Sequence, residues 1–148
     1  MDMEPHAGKP GERKRGLSDL AHRDSKESTR PITVGFVGNP NCGKTTLFNA
    51  FTGAKLKVAN WPGVTVERVE GETSYKGRPI KVIDLPGIYS LTSYTIEEKV
   101  TRKCIEDGEV DVIINVVDAS SLERNLYLTM QLIELKKPVI LALNMMDI

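Results

Sequence analysis

The chain has few of the features that mark secreted, zinc-binding or nucleic-acid-binding proteins. Only two of its 148 residues are cysteines, Cys42 and Cys104, so neither a disulfide framework nor a Cys/His zinc site is expected. Two isolated thiols are typical of a reducing, cytosolic compartment. Twenty basic residues balance twenty acidic ones, so no positive field attracts nucleic acid, and we expect no nucleic-acid partner.

Long apolar runs are also absent. No run approaches the ~18 residues of a membrane-spanning helix, and the N-terminus lacks the apolar core of a signal peptide. We therefore expect the chain as given to be soluble and cytoplasmic. Residues 1–30 are rich in Gly, Pro and charges of both signs. So few apolar groups cannot offset the entropy of ordering, which predicts a disordered tail. The alternative is a short basic contact around residues 13–15.

Residues 31–148 show the pattern of an α/β domain, in which apolar runs alternate with helical spacing. The predicted strands cover residues 32–37, 66–75, 79–84, 110–118 and 139–144, and the predicted helices cover residues 45–51, 96–106 and 122–136. Residues 55–64 are predicted to be a loop. Strands that alternate with helices favour a mostly parallel sheet with helices on both faces. Residues 66–84 add an antiparallel hairpin at its edge.

Two of these elements carry predictions about burial. The helix at 122–136 is expected to bury the face that carries Leu122, Leu126, Met130 and Ile133, which follow helical spacing. The strand at 139–144 is almost wholly apolar, so it is expected to be buried. Together these features predict an α/β fold with a mostly parallel sheet, one antiparallel edge hairpin and helices on both faces.

The strongest motif is a phosphate-binding loop. It matches GxxxxGK[ST] and consists of Gly38, Asn39, Pro40, Asn41, Cys42, Gly43, Lys44 and Thr45, with Thr46 beside it. A strand precedes it and a helix follows, so backbone N–H groups and the helix N-terminus can surround phosphates. Lys44 should reach the β- and γ-phosphates, and the Thr45 hydroxyl should bind Mg²⁺. The alternative is a glycine-rich turn with a chance lysine.

A second motif, DxxG, follows the predicted strand at 79–84. It consists of Asp84, Leu85, Pro86 and Gly87. An aspartate at the end of a strand can hold Mg²⁺ through water, and the Gly87 N–H can reach the γ-phosphate. Alone, Asp-x-Pro-Gly is an ordinary turn. About forty residues after a phosphate loop, it indicates a nucleoside triphosphatase.

The third motif, NxxD, follows the last strand and consists of Asn144, Met145, Met146 and Asp147. A carboxylate at Asp147 can accept hydrogen bonds from the N1–H and exocyclic amine of guanine, whereas adenine lacks that donor pair. Asn144 can approach the other edge of the base and tie this loop to the phosphate loop. The alternative is a turn, where Asn and Asp are common. In order after the other two motifs, NxxD predicts binding of GTP or GDP.

The segment Gly63, Val64 and Thr65 lies between the first helix and the hairpin. A threonine there can close over Mg²⁺ when the γ-phosphate is present and release when it leaves. The alternative is a strand-favouring threonine that begins the hairpin.

Ile88 stands where many GTPases place a water-orienting glutamine, and an apolar side chain cannot orient water. Asn41 is a candidate ligand for a K⁺ ion that would stabilise charge beside the phosphates. The predicted catalytic residues are therefore Asn41, Lys44, Thr65 and Gly87, and the predicted metal ligands are Thr45, Thr65 and Asp84 for Mg²⁺ and Asn41 for K⁺.

Three longer segments carry a family resemblance. Residues 60–67 read NWPGVTVE, residues 84–91 read DLPGIYSL, and residues 117–119 read VDA before LERNLYL at 122–128. In these segments the chain resembles the cytoplasmic GTPase domain of ferrous iron transport protein B, over about residues 31–148. The resemblance implies a P-loop GTPase fold, whose C-terminal strand and helix are missing from this sequence, and slow, K⁺-activated hydrolysis of GTP. It implies a bacterial inner-membrane Fe²⁺ uptake protein whose N-terminal cytoplasmic domain couples GTP to gating or transport. It implies a membrane iron-transport domain as partner and leaves self-association open.

The sequence leaves two alternatives. One is a soluble GTPase of ribosome assembly or tRNA modification, which a basic RNA-binding surface would favour. The other is a truncated nucleotide-binding fragment without turnover, because the family that the chain resembles continues with a second base-binding loop, a further strand and helix, and a membrane domain. Without that further strand, the apolar strand at 139–143 would expose an edge of the sheet.

Overall fold

One mixed sheet organises the part of the chain that the computed structural model describes, residues 30–53 and 55–144. Its strands are β1 (Ile32–Gly38), β2 (Leu56–Asn60), β3 (Glu67–Tyr75), β4 (Arg78–Asp84), β5 (Val112–Asp118) and β6 (Val139–Asn144). Their spatial order is β2-β3-β4-β1-β5-β6. Strands β4, β1, β5 and β6 pair in parallel, whereas β3 pairs antiparallel with both β4 and β2. The predicted fold class, a mostly parallel sheet with an antiparallel edge hairpin, is confirmed.

Three helices cover this sheet within the described residues: α1 (Lys44–Thr52), α2 (Ile96–Glu106) and α3 (Leu122–Glu134). The start of α2 shows why a helix forms there. The Thr95 hydroxyl accepts a hydrogen bond from the Glu98 N–H at 3.1 Å, and the Glu98 carboxylate accepts from the Tyr94 N–H at 3.1 Å. This is a variant of the capping box, which satisfies free N–H groups at a helix start. The bounds of α2 agree with the prediction.

The loop prediction for residues 55–64 was wrong, because β2 lies inside that segment. All five residues of β2 are exposed, so the strand has no buried apolar side that a sequence pattern could reveal. Backbone pairing with β3 defines it, from Leu56 opposite Gly71 to Asn60 opposite Glu67. The edge strand of the sheet is therefore β2.

The predicted buried face of α3 was also wrong. Leu122, Met130 and Ile133 are 44%, 66% and 59% exposed. The buried face instead carries Asn125, Leu128, Thr129 and Leu132. Two of these four residues are polar and form hydrogen bonds with strand β5. The Asn125 side chain accepts from the Asp118 N–H at 3.2 Å, and the Thr129 hydroxyl donates to Asn115. A search for apolar spacing cannot find a face that is half polar.

Strand β6 has the predicted bounds, but the prediction that it is buried was wrong. Ile140, Leu141 and Leu143 are about half exposed. The expectation of an exposed edge is confirmed, since β6 pairs only with β5 among the described strands.

Two apolar clusters hold the helices on the sheet. One lies under α2 and α3 and includes Ile83, Ile105 and Leu128. The other lies under α1, where the Phe36 and Phe48 rings meet edge to face at 5.8 Å. In the described part of the chain, no helix has the length and apolar character required to cross a bilayer.

Candidate nucleotide-binding site

The sequence motifs meet at one edge of the sheet. Parallel strands β1, β4, β5 and β6 end at Gly38, Asp84, Asp118 and Asn144. Because the carboxyl ends of parallel strands lie along the same edge, the loops that follow them are neighbours. The register pairs Phe36 with Asp84 and Gly38 with Val116, so the first two motifs start side by side.

The phosphate loop, residues 38–45, is tightly folded at its start. A Cβ atom at Gly38 would lie 2.7 Å from the Val116 carbonyl oxygen and 2.7 Å from Cys42 Sγ, so no larger residue fits. Asn41 and Gly43 both adopt positive φ, at 64° and 86°. These left-handed residues turn the backbone into the start of α1 at Lys44, which has no side-chain cap. The first N–H groups of α1 are therefore available to an anion.

A cleft of about 400 Å³ lies against this loop. It is lined by Asn39, Pro40, Asn41, Gly43, Lys44, Thr45, Thr46 and Gly87. Lys44 Nζ forms a salt bridge with Asp84 Oδ1, and Thr45 Oγ1 lies 3.4 Å from Asp84 Oδ2. The Lys44 and Asp84 side chains are only 9% and 11% exposed. The cleft therefore places a cation, a hydroxyl and a carboxylate within contact distance, which is the donor set for phosphate and Mg²⁺.

The buried side chain of Asn39 is a further indication that this site binds a polar ligand. It is 4% exposed, and within the described residues neither its amide nitrogen nor its amide oxygen has a hydrogen-bond partner. A buried amide without partners is costly. Contact with a polar ligand at the phosphate loop offsets that cost, so the site fits a phosphate-bearing ligand.

The segment after β4 lies directly against the phosphate loop. A Cβ at Gly87 would lie 3.1 Å from Pro40 Cα, and the Ile88 N–H donates to the Gly38 carbonyl at 3.0 Å. Leu85 and Ile88 are buried in the core. Ile88 therefore anchors this segment, and its side chain faces the core rather than solvent.

The predicted tie between the third motif and the phosphate loop is present, because Asn144 Nδ2 donates to the Cys42 carbonyl oxygen at 3.0 Å. Met145, Met146 and Asp147 lie outside the described residues, as do residues 1–29 of the tail that is predicted to be disordered over 1–30. Cys42 itself is 1% exposed, and burial raises the pKa of its thiol. It therefore acts as a small packing residue against Gly38.

The Thr65 loop, residues 61–66, is not part of this cleft. Thr65 is exposed and is absent from the described residues that line the cleft. The loop is closed at its base, where the Trp61 N–H donates to the Val66 carbonyl at 2.9 Å and the Val64 N–H donates to the Trp61 carbonyl at 3.2 Å. The role predicted for Thr65 thus requires the tip of this loop to move.

Sequence reasoning missed the residues that hold the segment after Gly87. The Leu91 N–H donates to Gln131 Oε1 at 2.7 Å, and the Leu91 carbonyl accepts from Arg102 Nη1 at 2.7 Å. The Arg124 guanidinium lies 4.4 Å from the centre of the Tyr89 ring. These contacts join residues far apart in the chain and carry no motif. Only the Thr95/Glu98 capping box nearby had a sequence signal.

No group of three or more His, Cys, Asp or Glu side chains comes together in the described part of the chain. The metal-binding groups that the structure brings to the cleft are therefore the Thr45 hydroxyl and the Asp84 carboxylate.

Comparisons with known proteins agree with this geometry. Residues 32–148 match the family model described as ferrous iron transport protein B. The Fe(2+) transporter FeoB of Escherichia coli (strain K12) is 54% identical over 123 residues, which are 80% of this chain and 16% of that protein. The chain thus spans only a small part of the length of its curated relatives.

Solved structures give the same result. The G domain of the T. maritima FeoB iron transporter is 49% identical, with a TM-score of 0.77 over 80% of this chain and 74% of that one. A GDP-bound mutant of the S. thermophilus FeoB G domain is 54% identical, with a TM-score of 0.74 over 78% of this chain and 45% of that one. This chain belongs to the ferrous iron transport protein B family and has the P-loop GTPase fold of that family's G domain.

Proposed function

We propose that this domain binds GTP with Mg²⁺, hydrolyses it slowly to GDP and phosphate, and thereby sets the state of an Fe²⁺ transporter. In the longer protein it would lie on the cytoplasmic side of a bacterial inner membrane, joined to a membrane iron-transport domain. The observation that carries the proposal is the Lys44–Asp84 salt bridge in the phosphate-loop cleft. It places the two charges that a Mg²⁺–triphosphate requires side by side.

Binding of phosphate changes the partner of Lys44. A triphosphate offers Lys44 several anionic oxygens, so the ammonium group exchanges the Asp84 carboxylate for the β- and γ-phosphates. Asp84 and the Thr45 hydroxyl would then hold Mg²⁺, and Thr65 would complete the set of ligands when its loop closes. When bound, Mg²⁺ neutralises charge on the β- and γ-phosphate oxygens. The Asn39 amide gains a polar partner in the same step.

Selection of guanine is assigned to the NxxD motif. Asn144 donates a hydrogen bond to the Cys42 carbonyl, so the loop that would recognise the base is attached to the loop that would bind the phosphates. Asp147 would accept the two guanine donors, and the flanking Met145 and Met146 would pack around the base. The GDP-bound S. thermophilus relative supports a guanine nucleotide as the ligand of this domain.

Hydrolysis must proceed without a glutamine after the DxxG motif, because Ile88 is 3% exposed and packed in the core. Asn41 sits at the cleft in a left-handed conformation and is exposed. We assign it as the ligand of K⁺, which supplies positive charge beside the phosphates when bound. Lys44 and the Gly87 N–H stabilise the γ-phosphate, and Thr65 senses its presence.

A competition titration tests the binding step. Fluorescent GTP is titrated into the 148-residue chain with Mg²⁺, and unlabelled GTP, GDP and ATP are used as competitors. We expect saturable binding that GTP and GDP displace and ATP does not. Equal displacement by ATP, or no saturable binding, would contradict the proposal.

The catalytic step is tested by phosphate release in K⁺ and in Na⁺. We expect faster release in K⁺, and loss of that difference in Asn41→Ala. Asn49→Ala is the matched control, because Asn49 is an exposed amide on α1 away from the cleft. Equal rates in the two salts would remove the K⁺ assignment, and no release at all would leave a nucleotide-binding module. Coupling to Fe²⁺ requires the longer protein, in which Lys44→Ala should reduce Fe²⁺ uptake into vesicles.

A further inference from the structure

Arg68 lies at the centre of a cluster of contacts away from the phosphate cleft. Its guanidinium carbon is 4.4 Å from the centre of the Trp61 ring. Arg68 Nε lies 2.5 Å from Glu70 Oε1, and Arg68 Nη1 lies 3.1 Å from Glu109 Oε1. The Arg68 side chain is 16% exposed. One side chain therefore joins β3, the Thr65 loop and the turn between α2 and β5.

We infer that Arg68 is a positioning residue for the nucleotide site: it clamps Trp61, and through Trp61 the base of the Thr65 loop, so that only the tip of that loop moves when a triphosphate binds. This inference rests on the proposed function, because it assigns a support to the loop that is expected to sense the γ-phosphate.

The geometry of the loop makes Trp61 its fixed point. The backbone of Trp61 forms hydrogen bonds with both Val64 and Val66. The residue is 6% exposed and belongs to the apolar cluster beneath α2. The last register pair of β2 and β3, Asn60 with Glu67, lies immediately outside the loop. Thr65, by contrast, is exposed. A loop whose base is already fixed loses less conformational freedom on closing than one that is free throughout.

The contact with Arg68 matters because the Trp61 ring has no hydrogen bond within the described residues. Within the described residues, the buried Trp61 Nε1–H has no hydrogen-bond partner, so packing and the cation–π contact hold the ring. Arginine suits this place, since its planar fork stacks on a ring while it donates to two carboxylates. Burial would lower the pKa of Arg68, but the hydrogen bonds and charges of Glu70 and Glu109 outweigh burial and raise it.

The ring also has space into which it could shift. A cavity of about 290 Å³ adjoins it, and its lining includes Trp61, Arg68, Val100 and Cys104. Burial raises the pKa of the Cys104 thiol to about 12, so it is neutral at physiological pH and does not compete with Glu109 for Arg68. Without Arg68, the ring would therefore have alternative positions, and the base of the loop would be held by its backbone hydrogen bonds alone.

Trp61 is the only tryptophan in the chain, so its fluorescence reports on this clamp directly. Three variants are compared with the parent chain: Arg68→Gln, which removes the charge, Arg68→Lys, which keeps it, and Lys76→Gln. Lys76 is the matched control, because its ammonium group lies 5.4 Å from the Tyr75 ring at the far hairpin turn. Acrylamide quenching is measured without nucleotide, and affinities are measured for GDP and for the non-hydrolysable analogue guanosine 5′-[β,γ-imido]triphosphate.

For Arg68→Gln we expect stronger quenching of Trp61, about tenfold weaker binding of the triphosphate analogue, and a change in GDP affinity of less than about twofold. The selective loss follows because only the triphosphate state uses the closed Thr65 loop. Arg68→Lys keeps the charge but lacks the planar fork, so it should recover only part of the parent behaviour, and Lys76→Gln should match the parent chain.

Unchanged quenching in Arg68→Gln would overturn the inference, and so would an equal loss of affinity for GDP and for the analogue. If Arg68→Gln does not melt cooperatively, Glu109→Ala takes its place, because Glu109 is 42% exposed and alanine removes the carboxylate that accepts from Arg68. A Glu109→Ala chain with parent quenching and parent affinities would equally overturn the inference. If the parent chain binds no guanine nucleotide, the proposed function fails, and the nucleotide-free quenching alone decides whether Arg68 holds Trp61.

Discussion

The phosphate loop and the Thr65 loop are both assigned to the nucleotide, but the protein holds them in opposite ways. The phosphate loop is fixed along its length: its Gly38 carbonyl accepts from Ile88, its Cys42 carbonyl accepts from Asn144, and its Lys44 pairs with Asp84. The Thr65 loop is fixed at its base alone, through Trp61.

This difference separates the binding of either nucleotide from the response to GTP alone. A loop that already has its bound shape contributes affinity for either nucleotide, because little freedom is lost on binding. A loop with an exposed tip can take two positions, and a ligand that contacts only one of them shifts the population. Substitutions in the phosphate loop should therefore weaken GTP and GDP alike, whereas substitutions in the Thr65 loop should affect GTP selectively.

Lys44→Ala should give the largest effect. It removes the charge that the phosphates require and leaves the Asp84 carboxylate, 11% exposed, without its partner. We expect the affinity for both GTP and GDP to fall by at least about 100-fold. Titration with labelled nucleotide measures it, and Lys57→Ala on the exposed strand β2 is the control. A loss below about tenfold, or one confined to GTP, would contradict the assignment of Lys44.

Gly38→Ala tests how tightly the phosphate loop is built. The new Cβ would meet a backbone oxygen, Val116 O, at 2.7 Å, and a backbone atom cannot rotate away. We expect the free energy of unfolding to fall by about 1–3 kcal/mol. Urea denaturation measures it.

Gly35→Ala is the matched control for that change in the same strand, since its Cβ would meet only the side chains of Val110 and Leu85, at 3.1 Å or more. We expect it to destabilise the domain less than Gly38→Ala does. The reverse order would show that the start of the phosphate loop is more adaptable than its contacts indicate.

Thr65→Ala should weaken binding of a triphosphate analogue in Mg²⁺ by about tenfold and leave GDP affinity unchanged, because the hydroxyl acts only in the closed loop. Since Thr65 is exposed, the melting temperature should stay close to that of the parent chain. Thr65→Ser keeps the hydroxyl and should restore binding. A loss of equal size for GDP would place Thr65 in the same class as the phosphate loop and remove the contrast.

Asn144→Ala should give the smallest effect. It deletes one hydrogen bond, from Nδ2 to the Cys42 carbonyl at 3.0 Å, which is worth about 1 kcal/mol or roughly fivefold in affinity. We expect the loss for GTP and GDP alike, measured by the same titration, with Asn60→Ala on the exposed strand β2 as control. A defect confined to GTP would show that Asn144 acts with the Thr65 loop instead.

Much of the site could be predicted because its chemistry is local. A phosphate is surrounded by consecutive backbone N–H groups, so residues 38–45 must follow one another in sequence. Strand ends and helix starts then placed Asp84 and Asn144 at the same edge of the sheet. The predictions that were wrong concern features that depend on contacts between distant residues. Strand β2 has no buried side, and α3 buries Asn125 and Thr129 because hydrogen bonds to other elements satisfy them.

The contacts that hold the Thr65 loop and the segment after Gly87 could not be predicted for the same reason. Arg68 meets Glu109 across 41 positions, and Leu91 meets Gln131 across 40. Such pairs depend on how α2, α3 and the hairpin pack, and a charged or amide residue on its own is compatible with a solvated surface.

By itself, the sequence determined that a phosphate loop stands between a buried strand and a helix, that a DxxG turn follows, and that the chain resembles one family. Spacing along the chain carries that information because backbone geometry is local. The tertiary structure alone decided which strand forms the edge, which face of α3 is buried and which side chains hold Trp61 and Leu91. Those outcomes depend on contacts between distant residues, whose partners are set only when the sheet and helices pack together.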